Sequence, residues 1–299
     1  MAYRWRCRDS VEANLIRIAR QQVDRAIEAC DRGDADPVEA VHDVRKRCKK
    51  VRSLLRLCRH GLGSAYRGEN ARFRELAREL SAVRDTQVLA GTLRGLVDEV
   101  GTDEDAVRFV AWIDRLSAAD VAGGACDLPD RLEEVRATLR DAHHRIEHWK
   151  ISANGFDAIE PGLRRTYRRG RRAMHAAQDA GTMEAYHAWR KRAKDYWYHM
   201  RLLEPLWPEA LRAVRRAAHR LAETLGDEHD LGVLETALAD GRLDPGDPDA
   251  RERLLALSAP RRLELRRRAD WYGERLYAER PSAFASRIEG YWRAAGVSG

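Results

Sequence analysis

His42, Arg45, Lys46, Lys49 and Arg56 recur at helical intervals within HDVRKRCKKVRSLLRLCR, the stretch from His42 to Arg59. It holds eight Lys or Arg residues against one acid, a surplus of seven that equals the net charge of +7 for the whole 299-residue chain. At about 100° per residue, a helix places Arg45, Lys46, Lys49, Ser53 and Arg56 within roughly 60° of His42. Val41, Val44, Cys48, Val51, Leu55 and Cys58 fall on the opposite, apolar side. Cations stacked at these spacings repel by a few tenths of a kcal/mol per pair. A polyanion turns that repulsion into attraction, because each Lys or Arg that meets a phosphate releases condensed counterions. Arginine, including Arg52 in this stretch, presents a bidentate fork to phosphate, and lysine a mobile point charge. A histidine among such cations is biased towards neutrality and can make hydrogen bonds without adding fixed charge. For a lone basic helix, the competing explanation is an ordinary solvated face.

That competing explanation weakens because the pattern occurs twice. EAVHDVRKRCKK at residue 39 returns as EAYHAWRKRAKD at residue 184, and eighteen of fifty-five positions are identical at a constant offset of 145. The copy supplies His187, Arg190, Lys191, Lys194 and Arg201, with Tyr198 on the same stripe and Tyr186, Trp189, Ala193, Tyr196, Met200 and Leu203 opposite. LSAVRDTQVL (Leu80–Leu89) stays in register with LGDEHDLGVL (Leu225–Leu234), and the offset also pairs the segment near Asn14–Cys30 with that near Gly162–Gln178. Beyond about residue 100 the halves drift. The copy is less basic, since Lys50 is matched by Asp195 and Arg52 by Trp197.

The elements that must position these residues are helices throughout. Ala, Leu, Arg and Glu dominate, and no alternating Val/Ile/Thr run marks a strand. Breaks are expected at Gly33–Pro37, Gly61–Ser64, Gly101–Asp103, Gly123–Pro129, Ala153–Gly162, Ala180–Thr182, Gly241–Pro248 and around Pro281. The expected fold is all-α, with two pseudo-twofold-related bundles of four or five helices from a duplication of about 145 residues: a half spanning 1–149 and a half spanning 150–299. The basic helices of the two halves are then expected to face one another across the axis.

Composition bounds the rest. Hydrophobic residues at 44% indicate a globular chain, and 34% charged residues a heavily solvated one with an anionic partner. No run of eighteen apolar residues predicts a membrane span, and the start, MAYRWRCRDSVEANLIRIA, lacks the apolar core of a secretory signal. Five cysteines (Cys7, Cys30, Cys48, Cys58 and Cys126), odd in number and without a C-x-x-C pair, predict a reduced, cytoplasmic chain. Cys48 and Cys58 lie on the apolar side and are expected in the core.

A second basic run, LRRTYRRGRRAM, carries six arginines from Arg164 to Arg172. Arg165, Arg168, Arg169 and Arg172 share one broad face and are expected on the same polyanion surface. Asp85 and Asp230 are equivalent, and each is expected to pair with and orient an arginine of its basic helix. Asp227, Glu228, His229 and Asp230 offer a metal-binding alternative, for which the first half has no counterpart. His144 and His148 have zinc-pair spacing, yet no third ligand is near in sequence, and Ile146 and Trp149 suggest a plain amphipathic helix. Most tryptophans have core spacing, although Trp197, Tyr198 and Trp271 could stack on bases or guanidinium groups.

HDVRKRCK and HAWRKRAK, each followed by a further arginine, resemble the CHAD family, the conserved histidine α-helical domain. RDTQVL, HDLGVL and YRRGRRAM resemble further pieces of it. The resemblance implies a pseudo-symmetric helical domain whose basic central surface binds inorganic polyphosphate, without catalytic activity or cofactor, and frequent placement on polyphosphate granules. Carried over by position, the ligand candidates are His42, Arg45, Lys46, Lys49 and Arg56 with His187, Arg190, Lys191, Lys194 and Arg201. Two other functions stay open. One is a nucleic-acid binder that reads backbone phosphates without sequence preference. The other is a divalent-dependent phosphohydrolase using Asp227, Glu228 and Asp230. Neither a G-x-x-x-x-G-K-[ST] loop nor an E-x-E-x-K tunnel pattern is present.

Overall fold

The computed structural model describes residues 3–33, 36–80, 85–123 and 128–297, the side chains of 85–87 and 117–123 excepted. Eleven α-helices account for most of the described residues, and no strand occurs among them. They are α1 (Val11–Asp31), α2 (Pro37–Leu57), α3 (Ala65–Glu79), α4 (Asp85–Val100), α5 (Asp103–Gly123), α6 (Leu128–Glu147), α7 (Glu160–Ala180), α8 (Met183–Leu203), α9 (Pro208–Ala239), α10 (Pro248–Leu276) and α11 (Pro281–Ala294). The all-α expectation therefore holds, but six helices precede residue 149, one more than the four or five expected, and five follow it. Among the described residues no helix is long and apolar enough to cross a membrane.

Local chemistry fixes the ends of the two basic helices. Asp36 caps α2 by accepting from the Glu39 amide at 3.0 Å, and Pro37 takes the first turn, where a missing N–H costs nothing. Gly181 ends α7 in the left-handed region at φ 62°, and Thr182 then caps α8 by accepting from the Ala185 amide. The break between α8 and α9, a short 3-10 turn over Glu204–Leu206, was absent from the expected breaks. Pro205 and Pro208 were its signal.

Every residue assigned to the apolar sides of the two stripes is buried: Val41, Val44, Cys48, Val51, Leu55 and Cys58 on α2, and Tyr186, Trp189, Ala193, Tyr196, Met200 and Leu203 on α8. They belong to a main core that draws on α1, α2, α3, α6, α7, α8, α11, the first part of α9 and the last part of α10. The N-terminal segment joins it, with Trp5 against Trp292 at 5.8 Å and its amide bonded to the Leu202 carbonyl. A second core joins Leu93 and Leu96 of α4, Phe109 and Ile113 of α5, Leu234 and Leu238 of α9 and Leu254 of α10. Residue 149 lies in the connection between α6 and α7, but each core contains residues from both sides of it.

One close approach sets the position of α7. A Cβ on Gly162 would lie 2.0 Å from the Leu57 carbonyl oxygen and 2.6 Å from that of Arg56. Glycine alone lets the first turn of α7 rest on the last turn of α2. Helix propensity by itself would make Gly162→Ala stabilising by about 0.5–1 kcal/mol. The contact predicts the opposite sign, a loss of about 1–3 kcal/mol in a urea unfolding titration.

Candidate functional site

The basic helices α2 and α8 touch one another directly. The Ser53 hydroxyl donates to the Asp195 carbonyl at 3.5 Å, and His199 Nε2 donates to the Ser53 carbonyl at 2.9 Å. Ser53, Tyr198 and His199 are buried at this crossing. Ser53 and Tyr198 thus leave the exposed stripe on which helical spacing placed them: the crossing covers that part of each stripe. His199, which the sequence did not single out, is pushed down to about 4 by burial. It stays neutral, with its proton on Nε2, because a carbonyl can only accept.

On one flank of the crossing, Arg56, Arg59, Arg165, Arg169 and Arg192 line a single depression with Tyr66 and Thr166. Asp195 is its one carboxylate, 2.9 Å from Arg56 and 3.4 Å from Arg192. Arg52 lies beside it and reaches Asn70 at 3.4 Å; burial and then Arg56 push its pKa down to about 10. Arg169 is lowered too, by burial and then by Arg192 and Arg165. Arg168 and Arg165 continue the cationic surface with Arg59, His60 and Arg164. Arg172 is exposed about a turn further along α7. Of the α7 arginines, Arg165 and Arg169 thus meet the α2 stripe at Arg56, while Arg168 and Arg172 do not line that depression.

The first half of the α2 stripe is more engaged with the protein. Asp43 pairs with Lys46 and sits 3.8 Å from Arg47 and 3.6 Å from Arg32. Arg45 donates to the Ala77 carbonyl of α3 at 2.7 Å. His42 and Lys49 are half-buried along the same side.

On α8, His187 stacks on His229 of α9 with ring centroids 4.0 Å apart. Burial first, and then the neighbouring His229 ring for His187 and Arg190 for His229, push both down to about 4, so both are neutral near pH 7. Arg190 lies 3.8 Å from Asp230, the orienting pair expected for that aspartate. Lys191 is exposed and Lys194 half-buried. Half-buried Arg201 is turned towards Tyr3, Tyr198 and Arg215. Trp197 packs on Tyr198 and His219, at 4.6 and 4.2 Å, and so is held by the protein. Trp271 is exposed under Arg275, 3.9 Å from its ring.

The metal alternative loses its central carboxylate, because fully buried Glu228 holds Arg262 and Arg266 at 2.9 and 2.8 Å. Among the described residues no group of three His, Cys, Asp or Glu side chains is placed to hold a metal ion, His144 and His148 included. Cys48 and Cys58 are buried thiols pushed up to about 12, and Asp85 and Cys126 lie outside the described side chains.

The chain belongs to the CHAD family: the CHAD domain matches residues 16–239. No curated protein matches it.

The three low-lying histidines make a pH prediction. Their folded-state values near 4 lie below the ordinary value of 6.5, so the unfolded chain binds more protons between these limits. Unfolding free energy, measured by urea titration, should therefore fall as pH drops from about 6.5 to about 4. His199→Gln should show a shallower fall over the same window.

Proposed function

We propose that the protein binds linear phosphate polyanions, inorganic polyphosphate foremost, and does not turn them over. The carrying observation is the depression at the α2–α7–α8 junction, where five guanidinium groups share one carboxylate. Apolar burial brings these cations together, and a chain of phosphates offsets their repulsion. The family supports the same ligand class. The contact between α2 and α8 also supports the reading of 1–149 and 150–299 as duplicated halves joined about a pseudo-twofold axis.

A ligand made only of phosphate needs no stacking platform. The aromatic rings near the cations are already engaged, Trp197 by Tyr198 and His219, and Tyr66 by Arg59 at 4.8 Å. This favours polyphosphate over single-stranded nucleic acid, which gains about 1–3 kcal/mol per base stacked on a free ring. The binder reading also accords with Glu228 being committed to arginines and not to a metal-dependent hydrolytic centre. A cytoplasmic location, on polyphosphate granules, belongs to the same proposal.

Arg165 and Arg169 are exposed and carry no carboxylate contact within ion-pair distance among the described residues, so reversing them tests the surface with little effect on the fold. Arg165→Glu with Arg169→Glu should weaken long-chain polyphosphate binding by about 100-fold or more at low salt and flatten its salt dependence. Arg45→Glu with Lys49→Glu should do the same from the α2 stripe. Helicity by circular dichroism should be unchanged. Full affinity in both variants would place the anion elsewhere. Equal binding of DNA or RNA of matched charge at physiological salt would overturn the preference for polyphosphate.

A further inference from the structure

Lys50 is a buried lysine with a solvent exposure of only 6%. Among the described residues no carboxylate lies within ion-pairing distance of it, and its nearest aromatic contact is the Tyr3 ring, 5.6 Å from Nζ. The charges that bear on it most are Arg47, Arg201, Lys46 and Arg25, every one a cation. They come from three helices: Arg25 from α1, Lys46 and Arg47 from α2, Arg201 from α8. All four are partly exposed, whereas the lysine between them is buried. The acids that approach do so from the side: Asp43 holds Lys46 and Arg47, and Glu28 bears on Arg47.

The other flank of the crossing gives the comparison. At the offset of 145, Lys50, Arg47 and the partner-helix Arg201 correspond to Asp195, Arg192 and the partner-helix Arg56. In that second cluster the carboxylate of Asp195 ties both arginines together. In the first cluster a cation stands where the carboxylate would be, and of its cations Asp43 and Glu28 meet Lys46 and Arg47 only, so that among the described residues no carboxylate within ion-pair distance neutralises Lys50 or Arg201.

We propose that Lys50, Arg47, Arg201 and Arg25 form a site for one dianionic phosphoryl group, either orthophosphate or the end of a polyphosphate chain. Charge selects the end over the interior. A terminal phosphoryl group approaches two negative charges near neutral pH, whereas an interior one carries a single charge. The protonation of the lysine fits this role. Burial, and then Arg47 and Arg201, bring Lys50 down to about 7, so a bound dianion restores its proton. Binding above pH 7 is then accompanied by proton uptake. The chain-end source rests on the polyphosphate reading, whereas the orthophosphate source stands without it.

The test uses the full chain, calorimetry and thermal unfolding, with orthophosphate, tripolyphosphate and long-chain polyphosphate as probes. Lys50→Asp rebuilds the arrangement around Asp195 and is expected to raise the phosphate-free melting temperature. It should weaken orthophosphate or tripolyphosphate binding by about tenfold or more and abolish the buffer-dependent proton uptake. Loss for both small probes identifies a free-phosphate site, and loss for tripolyphosphate alone a chain-end site. Arg25→Gln, at a partly exposed member of the cluster, repeats the measurement without touching the buried position. Unchanged affinity for both small probes in the two variants would overturn the proposal. Long-chain polyphosphate should still bind Lys50→Asp through Arg165 and Arg169, which separates failure of this site from failure of the polyanion surface.

Discussion

The direct contact between two helices of like charge is the constraint on which the rest of the structure depends. At the centre of the crossing of α2 and α8 the hydrogen-bonding groups are neutral, a serine hydroxyl, two backbone carbonyls and an uncharged imidazole, and the charged contact between the two helices is the Arg56–Asp195 pair at its side. The cations are displaced to the two flanks. Their mutual repulsion is strengthened by the low dielectric of the partly buried setting. The pull that overcomes it is apolar: Val51, Leu54 and Leu55 on one helix and Met200, Leu202 and Leu203 on the other are at most 1% exposed. Burial of such side chains contributes about 1.5–3 kcal/mol each, against tenths for each like-charge pair, so packing wins.

Internal acids then decide how much cationic charge is left for a ligand. Asp43 serves Lys46 and Arg47, Asp195 serves Arg56 and Arg192, and Asp230 stands near Arg190. Each acid holds its arginines in place without cancelling them, because it is outnumbered or distant. The guanidinium groups are thereby gathered before a polyanion arrives, and a binder that is already ordered loses less side-chain freedom on association.

Much of this was legible from periodicity. The apolar and cationic sides of α2 and α8 followed from helical spacing alone, and the meeting of Arg165 and Arg169 with the α2 stripe from their shared charge. What periodicity could not give was which part of a stripe a neighbouring helix would cover. Ser53 and Tyr198 have stripe spacing, yet they are buried because α2 and α8 cross there. His199 and His229 take their roles from partners 146 and 42 residues away in the chain, Ser53 and His187. The two cores mix both halves for the same reason: which faces meet is a tertiary fact, and α9 contributes its first part to one core and its last part to the other.

Helix α7 links that packing to the charged surface. Its inner side is fixed by aromatic contact, with Tyr167 stacked on Phe284 at 4.2 Å and set edge-on to Tyr196 and Tyr277. Its first turn is fixed by Gly162 against the carbonyls of α2. The outward arginines therefore hang from a rigid support and divide by position. Arg165 and Arg169 line the depression with Arg56 and Arg192 at the crossing, Arg168 lines the adjoining one with Arg59 and Arg165, and Arg172 is exposed further along the helix. Exposed charges of this kind act over a Debye length and draw an anion towards the surface, and those gathered in the depression can hold it. A single rigid helix thus spans the step from steering to binding, which explains why its arginines sit on one face instead of being spread around it.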